Sequence, residues 1–536
     1  MLLTQSLRLT FISMLVCIGL SGFAQTDTTD AGLFSSAVIP AKILSAKHEF
    51  NVNNMRGALS IFREVLDVEP NNDQALYGIA QCHYNLKKYK LALDYAQRAD
   101  KNGAGIPNLF YGQCYHRQAE LDKAIESYEK YKATVRPGSY DAELADMLIG
   151  QCKYAKEQMQ HPVNVTITNM GKEINTRFEE YAPSVTADGK LLVFTSRRSD
   201  TKGNAIDEHG DYKYFEDIYS SELQPDGTWA DSKNLPGDVN TEAYDGVLSI
   251  LPSGQGIYVY RNKGESAGDI FYSDRNASDG TWKAAAKISR PINTSYYEGS
   301  ISVTADGNAA YFISERPEGL GQGDIYFSFK KGSKWSSPKN IGKLLNTEND
   351  EKFVFVHPNG KVLYFASNGH QGMGSYDLYR SELVNGTWSA PVNLGYPINT
   401  VNEESTFSLT GDNKTLYLSA EYDDSFGERD IYKVDVSNYN LISAEAIGKL
   451  YGQLICTVKN VASGSPMKGV KVRVLDESGT EVFKGETDKA GYCRTTLPLS
   501  QSYKVETTDK TNVQTKDVEM TPKELGETVV KVDFTY

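Results

Sequence analysis

The chain has 536 residues, enough for three or four domains of ordinary size, and its 40% hydrophobic and 23% charged content is that of a folded globular protein. Asp and Glu outnumber Lys and Arg by 69 to 56, a net charge of −13, so no basic face is implied and nucleic acid and anionic membrane are excluded as main partners. The 34 tyrosines and 45 glycines point to much β structure with tight turns.

Residues 1–24 read as a cleavable secretory signal. Arg8 gives the positive start, Leu9 to Leu20 the apolar run, and Gly22-Phe23-Ala24 the small-residue cleavage pattern. The run is too short to span a bilayer, and no later segment approaches the roughly 18 apolar residues that a span needs. The expected mature chain starts at Gln25 and is periplasmic, exported without a transmembrane segment. Cys17 is a candidate lipidation site, but Val16 before it and Ile18-Gly19-Leu20 after it fit that pattern poorly. None of the six cysteines forms a Cys-x-x-Cys pair, which removes the usual zinc and redox templates. Cys456 and Cys493 share one domain and either pair or stay as small buried thiols.

Residues 34–160 are helical in pattern, with small residues at fixed offsets. Ala46, Ala80, Gly112 and Gly150 head one series, and Ala58, Ala92 and Ala124 follow the first three by twelve residues. The period is 34, then 32, then 38, where Pro137-Gly138-Ser139 adds a loop. This series resembles the tetratricopeptide repeat, in which small residues let paired helices approach closely. The resemblance implies groove-lining positions one and four residues after the small one: Gln81 and Tyr84, Gln113 and His116, Gln151 and Tyr154. Such polar-aromatic pairs suit capture of a partner segment, or are ordinary solvated groove residues. Cys82, Cys114 and Cys152 recur as expected packing positions.

Residues 163–436 change to a period of about 53 with strand-like alternation. Trp229, Trp282, Trp335 and Trp388 mark it. So do five Asn-Thr pairs beginning at Asn175, Asn240, Asn293, Asn346 and Asn399, and five strand entries of the type Asp324-Ile325-Tyr326. Radial repetition of four-stranded sheets is the economical solution, hence a β-propeller. The segment Asn169 to Thr176 matches the end of a repeat whose beginning is absent there. Val163 to Thr168 is therefore expected to complete the last blade, giving five blades. Motifs such as Ser300 to Gly307 and Gly321-Gln322-Gly323-Asp324-Ile325-Tyr326 resemble the TolB-like or PD40 type of WD40-like propeller. Five residues after each Asn stands an acid: Glu180, Asp245, Glu298, Glu351 and Glu404. These are expected to ring one mouth of the central channel and attract a cation or basic segment, or else each to pair with a neighbour from the next blade, such as Arg197, Arg261 or Arg316.

Residues 449–536 alternate without the 53-residue period. Gly464 to Val474 and Glu486 to Tyr492 resemble the carboxypeptidase regulatory-like domain, which implies a seven-stranded, immunoglobulin-like sandwich without catalytic residues. The fold class expected for the whole is thus multidomain, α plus all-β.

Tests for catalysis find little. Gly264-Glu265-Ser266-Ala267-Gly268 matches G-x-S-x-G, yet a strand entry follows it instead of the helix a nucleophile elbow needs. The seven histidines are scattered, and phosphate loops and dinucleotide fingerprints are absent. The insertion Asp200 to Glu216, with Asp207, Glu208, His209, Asp211, Tyr212 and Tyr214, is a contact loop or simply solvated. No cofactor, metal or catalytic residue is expected.

The order of signal, tetratricopeptide repeats, propeller and regulatory-like sandwich resembles the modular envelope proteins of Bacteroidetes-type bacteria, in particular the PorE-like components of type IX secretion. That group usually adds an OmpA-like peptidoglycan-binding domain, and the sequence stops at Tyr536 without one, so any peptidoglycan contact is expected to be indirect. The resemblance implies a non-enzymatic periplasmic scaffold, outer-membrane-associated, that binds envelope or secretion-machinery proteins. The alternatives are a peptidoglycan or carbohydrate receptor using the propeller face and, last, a hydrolase working from propeller loops.

Overall fold

The computed structural model describes residues 30–207, 211–262, 268–276, 278–332, 334–442, 451–498, 501–520 and 529–536. The signal segment with Cys17, Glu208 and His209 of the insertion, and Gly264 to Ala267 of the G-x-S-x-G match lie outside the described residues.

Seven helices come first: α1 (Asp30–Asn51), α2 (Met55–Val68), α3 (Asp73–Asn85), α4 (Tyr89–Lys101), α5 (Asn108–Arg117), α6 (Leu121–Lys132) and α7 (Tyr140–Gln160). Their starts follow from local chemistry. The side chains of Asn54, Asn72 and Ser139 accept from the backbone N–H of Gly57, Ala75 and Ala142, satisfying donors that a helix leaves free. The turns inside successive helix pairs are closed by Asn53, Lys87 and Ala119, all left-handed at φ 64°, 57° and 57°.

The small residues do what close helix packing demands. Ala46, Ala58, Ala80, Ala92 and Ala124 are fully buried. Gly112 faces the ring of the buried Tyr128, where an added Cβ would lie 2.4 Å from a ring carbon. Gly150 differs: it is exposed with open space beside it, because no further helix pair follows α7. Gly112→Ala is therefore expected to destabilise the helices by about 1–3 kcal/mol despite alanine's better helix propensity, as read from a urea melt. A neutral outcome would refute close packing there.

Five antiparallel sheets follow. The first holds Glu180–Val185, Leu191–Ser196, Asp217–Glu222 and Lys233–Asn234, and the second Tyr244–Ile250, Gly256–Asn262, Asp269–Asp274 and Ala286–Lys287. The third is built on Glu298–Val303, Ala309–Ser314 and Asp324–Lys331, the fourth on Glu351–Val356, Val362–Ser367 and Asp377–Val384, each with two short outer strands. The fifth comprises Phe407–Leu409, Thr415–Ala420 and Asp430–Asp435, and its outer strand is Thr166–Asn169 from the other end of the region, with Thr166 opposite Asp435.

The first strands of these sheets meet at one axis. Ile250 N–H donates to Ser184 Oγ, Ser249 Oγ to the Ile301 carbonyl, Val354 N–H to Ser300 Oγ, and Val185 N–H to Ser408 Oγ. Phe353 and Phe355 of the fourth sheet pack on Phe407 of the fifth, both with ring centroids 5.6 Å apart. A void of about 20 Å³, room for about one water, lies between residues of all five first strands.

Residues 451–536 form two more sheets over one core. Tyr451–Lys459 pairs antiparallel with Tyr492–Pro498 and parallel with Val529–Thr535, while Lys471–Leu475 lies between Glu481–Glu486 and Gln501–Asp509, which in turn pairs with Asn512–Met520. Leu454, Val458, Val472, Val474, Val505 and Phe534 fill the space between the two. Cys456 stands directly opposite Cys493. Both are free buried thiols, and burial pushes each up to about 12, so they stay protonated.

Topology sets which edge is which. In every one of the five sheets the Asn-Thr loop before the first strand and the loop between second and third strands share one edge, here the upper. Turns between first and second strands lie on the lower edge. The C-terminal sheets touch the lower edge, where Gln453 Nε2 donates to the Ser253 carbonyl and Arg494 Nη1 to Gln255 Oε1.

Candidate functional site

The repeated polar residues explain the sheets before they explain any function. Each Asn of the Asn-Thr pairs is buried and uses its amide like a missing strand residue. Asn240 accepts from Ile218 N–H and donates to Ile218 O, and Asn293, Asn346 and Asn399 do the same to Ile270, Ile325 and Leu378. Asn175 does so to Ile431 of the fifth sheet, 256 residues away. The recurrent Asp holds the loop that enters its strand: Asp377 accepts from Met373 N–H, Gly374 N–H and Asn393 Nδ2.

The five acids expected at a channel mouth do not line an open one. Glu180, Asp245, Glu298, Glu351 and Glu404 are 0–1% exposed. Each accepts from the backbone N–H and Oγ1 of the Thr four residues earlier, as Glu404 does from Thr400 at 2.8 and 2.6 Å. Three have a cation as well, from the same sheet and not the next one: Arg198 for Glu180, Arg261 for Asp245 and Arg316 for Glu298. Those guanidinium groups also sit over Tyr219, Phe271 and Tyr326, at 4.6, 4.9 and 4.8 Å. Arg197 pairs instead with Asp211 of the insertion. The fourth and fifth sheets lack the arginine, Gly369 and Tyr422 standing where the first and third have Arg198 and Arg316. Burial then pushes Glu351 up to about 7 and Glu404 up to about 8.

The groove positions expected on the helices meet a different fate. His116 is 2% exposed, and its Nε2 lies 2.9 Å from the carbonyl of Met373 on the upper edge of the fourth sheet. Burial, then the adjacent Arg117, lowers it to about 4, so the ring is neutral at pH 7. Arg117 itself donates to the carbonyls of Val401 and Asn402. Half-buried Tyr154 packs into a cluster joining Tyr128, Ile149 and Cys152 to Met373 and Val401. Tyr84 is held by the rings of Tyr89 and Phe110, 5.4 and 5.6 Å away. Gln81, Gln113 and Gln151 are half-buried. The second and third groove pairs thus do not stand as a free surface, since His116 and Tyr154 face the upper edge of this same chain.

What stays open is the crevice beside that contact. It has a volume of about 950 Å³. One wall is helical, from the α3–α4 turn (Lys87, Lys88) through Tyr89, Lys90 and Leu91 to Arg117 and Met159; the other is the upper edge of the fourth and fifth sheets, with Tyr396, Pro397, Tyr422, Asp423 and Asp424. Lys87 Nζ crosses it to Glu421 at 3.0 Å. Tyr422 Oη donates to the Pro397 carbonyl at 3.2 Å, and Tyr432 Oη to Asp424 Oδ1 at 2.8 Å. The crevice is aromatic on its floor and charged on its lips. It offers contact area and orientation. Of its residues, sequence periodicity marked Thr400, in an Asn-Thr pair, and Tyr432, in a strand entry. The signal that could have found the rest is the cationic turn Lys87-Lys88-Tyr89-Lys90 at a helix–helix junction. Among the described residues no helix is long and apolar enough to cross a membrane, and no three His, Cys, Asp or Glu side chains are grouped to hold a metal.

Comparison with known proteins agrees on the helices. Residues 51–131 match the family model described as anaphase-promoting complex, cyclosome, subunit 3, so the N-terminal helices are a tetratricopeptide-like repeat. No curated protein matches the chain. Similar solved structures include the periplasmic gluconolactonase PpgL of Pseudomonas aeruginosa, at 11% identity, with 64% of this chain and 85% of that one covered and a TM-score of 0.27. The α-L-arabinofuranosidase of Lactobacillus brevis is similar at 12% identity, 52% and 93% coverage and a TM-score of 0.31. Prolyl oligopeptidase B of Galerina marginata is similar at 10%, 61% and 39%, and 0.28. Likeness of that degree carries no argument about activity.

Proposed function

We propose that the chain is a non-enzymatic adaptor of an exported, outer-membrane-associated assembly, similar to the PorE-like components of type IX secretion. On this reading the five sheets are a five-bladed PD40-type propeller and the C-terminal sheets an immunoglobulin-like spacer. The meeting of five first strands at one axis and the borrowed strand Thr166–Asn169 support the first part. The observation that carries the adaptor reading is the docking of a protein-binding repeat onto the upper edge, which leaves a composite crevice rimmed by charge and floored by tyrosines. The C-terminal sheets sit on the opposite edge, so partners at the two ends would not compete.

The test is a crosslinking pull-down of the tagged mature chain from its native envelope, with bound proteins and muropeptides both identified. Recovery of outer-membrane barrels or secretion components is the expected result. Glycan alone would replace the adaptor with a cell-wall receptor.

A further inference from the structure

The crevice has more specific chemistry than a generic docking surface. Lys87 is paired with Glu421, and Arg117 with backbone carbonyls. Lys88 and Lys90 are exposed on the same lip and form no ion pair among the described residues. On a chain of net charge −13, Lys88 and Lys90, separated only by Tyr89, put two unpaired cations beside an aromatic floor. The opposite lip carries exposed Asp423 and Asp424, which repel an acid on that side. The floor between them is Tyr89, Tyr396, Pro397 and Tyr422, flat rings that favour an extended, proline- or aromatic-bearing backbone over a helix.

Resting on the adaptor reading, we propose that this crevice receives an extended segment of a partner protein, with a tyrosine or proline anchor on the floor and acidic side chains turned to Lys88 and Lys90. The lysines select sign and direction, while the rings supply most of the contact area. A segment of opposite charge would turn its lysines to Asp423 and Asp424 on the other lip and leave Lys88 and Lys90 unpaired.

The probe is a fluorescein-labelled octapeptide, Glu-Glu-Tyr-Pro-Tyr-Pro-Gly-Gly, titrated against the full mature chain by anisotropy. It is compared with its Lys-Lys counterpart and with a version whose tyrosines are alanine. The acidic tyrosine peptide is expected to bind tightest. The double variant Lys88→Glu/Lys90→Glu, at two exposed positions that leave the core intact, should weaken it by about tenfold and improve the lysine peptide. Equal binding of acidic and basic peptides, no binding of the acidic one, or affinity unmoved by the double variant each overturns the inference. The pull-down separates this failure from that of the adaptor reading. Partners captured equally by wild type and double variant sink the crevice assignment alone, whereas a wild type that captures no protein sinks the adaptor reading as well.

Discussion

Arg261→Met is expected to destabilise the five-sheet region by about 3–5 kcal/mol. Asp245 is fully buried, and its partners are Thr241 and the guanidinium of Arg261. Removing the cation leaves a carboxylate in an apolar setting, with Val247 and Val259 nearby in the same core. The group must then either stay charged at high cost or take up a proton. Arg261 Nη2 also donates to the Val239 carbonyl, which would lose its donor. The check is a urea melt of Arg261→Met, Asp245→Asn and the pair. If the coupling is real, Asp245→Asn removes the charge that Arg261→Met strands, and the double variant loses much less than the sum of the singles. Additive losses would show that the pair is incidental to packing.

A second large effect concerns pH. Glu351 and Glu404 have no arginine, and burial raises them to about 7 and about 8. A carboxyl whose folded value lies above its unfolded value, near 4.3, binds its proton more tightly when folded. Its stabilising contribution is therefore complete below about pH 4 and is lost as pH rises through the folded value. Each unit is worth about 1.4 kcal/mol, so the loss by pH 8 is on the order of 4 kcal/mol for either group. Glutamine keeps the geometry, accepting from the Thr N–H and donating to the Thr hydroxyl, without a charge to bury. Glu404→Gln and Glu351→Gln are thus expected to match wild type near pH 4.5 and to exceed it by a few kcal/mol at pH 8. Difference curves of urea midpoint against pH measure this directly, because groups shared with wild type cancel. A variant less stable than wild type at pH 8 would mean that the ionised carboxylate is wanted there, and would reopen the ion-binding reading of these acids.

Both predictions turn on residues that periodicity found but could not interpret. The 53-residue spacing shows that an acid follows each Asn by five, and the hydrogen bond from the Thr four residues before it is as local as a helix cap. The arginine that completes three of the five sites is less local. Arg198, Arg261 and Arg316 lie 16 to 18 residues beyond their acids, across one hairpin, and only the pairing register brings them opposite. Arg197 and Arg198 are neighbours in sequence, so choosing between them as the partner of Glu180 needed the strand's facing.

Local chemistry therefore determined a good deal by itself: helices first, strands after, small residues where helices cross, and Asn, Thr and Asp at the loops that enter strands. Those features rest on hydrogen bonds and contacts within one repeat, which composition and spacing encode directly. Where the modules meet was decided only in three dimensions. His116 reads in sequence as an open groove residue because its repeat supplies nothing to cover it. Its cover, the carbonyl of Met373, lies 257 residues away, and Arg117 finds Asn402 across 285. Backbone carbonyls carry no sequence signature, so a contact made to them at such separation leaves no periodic trace. The crevice that this docking creates, with Lys88 and Lys90 on one lip and Asp423 on the other, belongs to neither repeat and exists only because the two are held together.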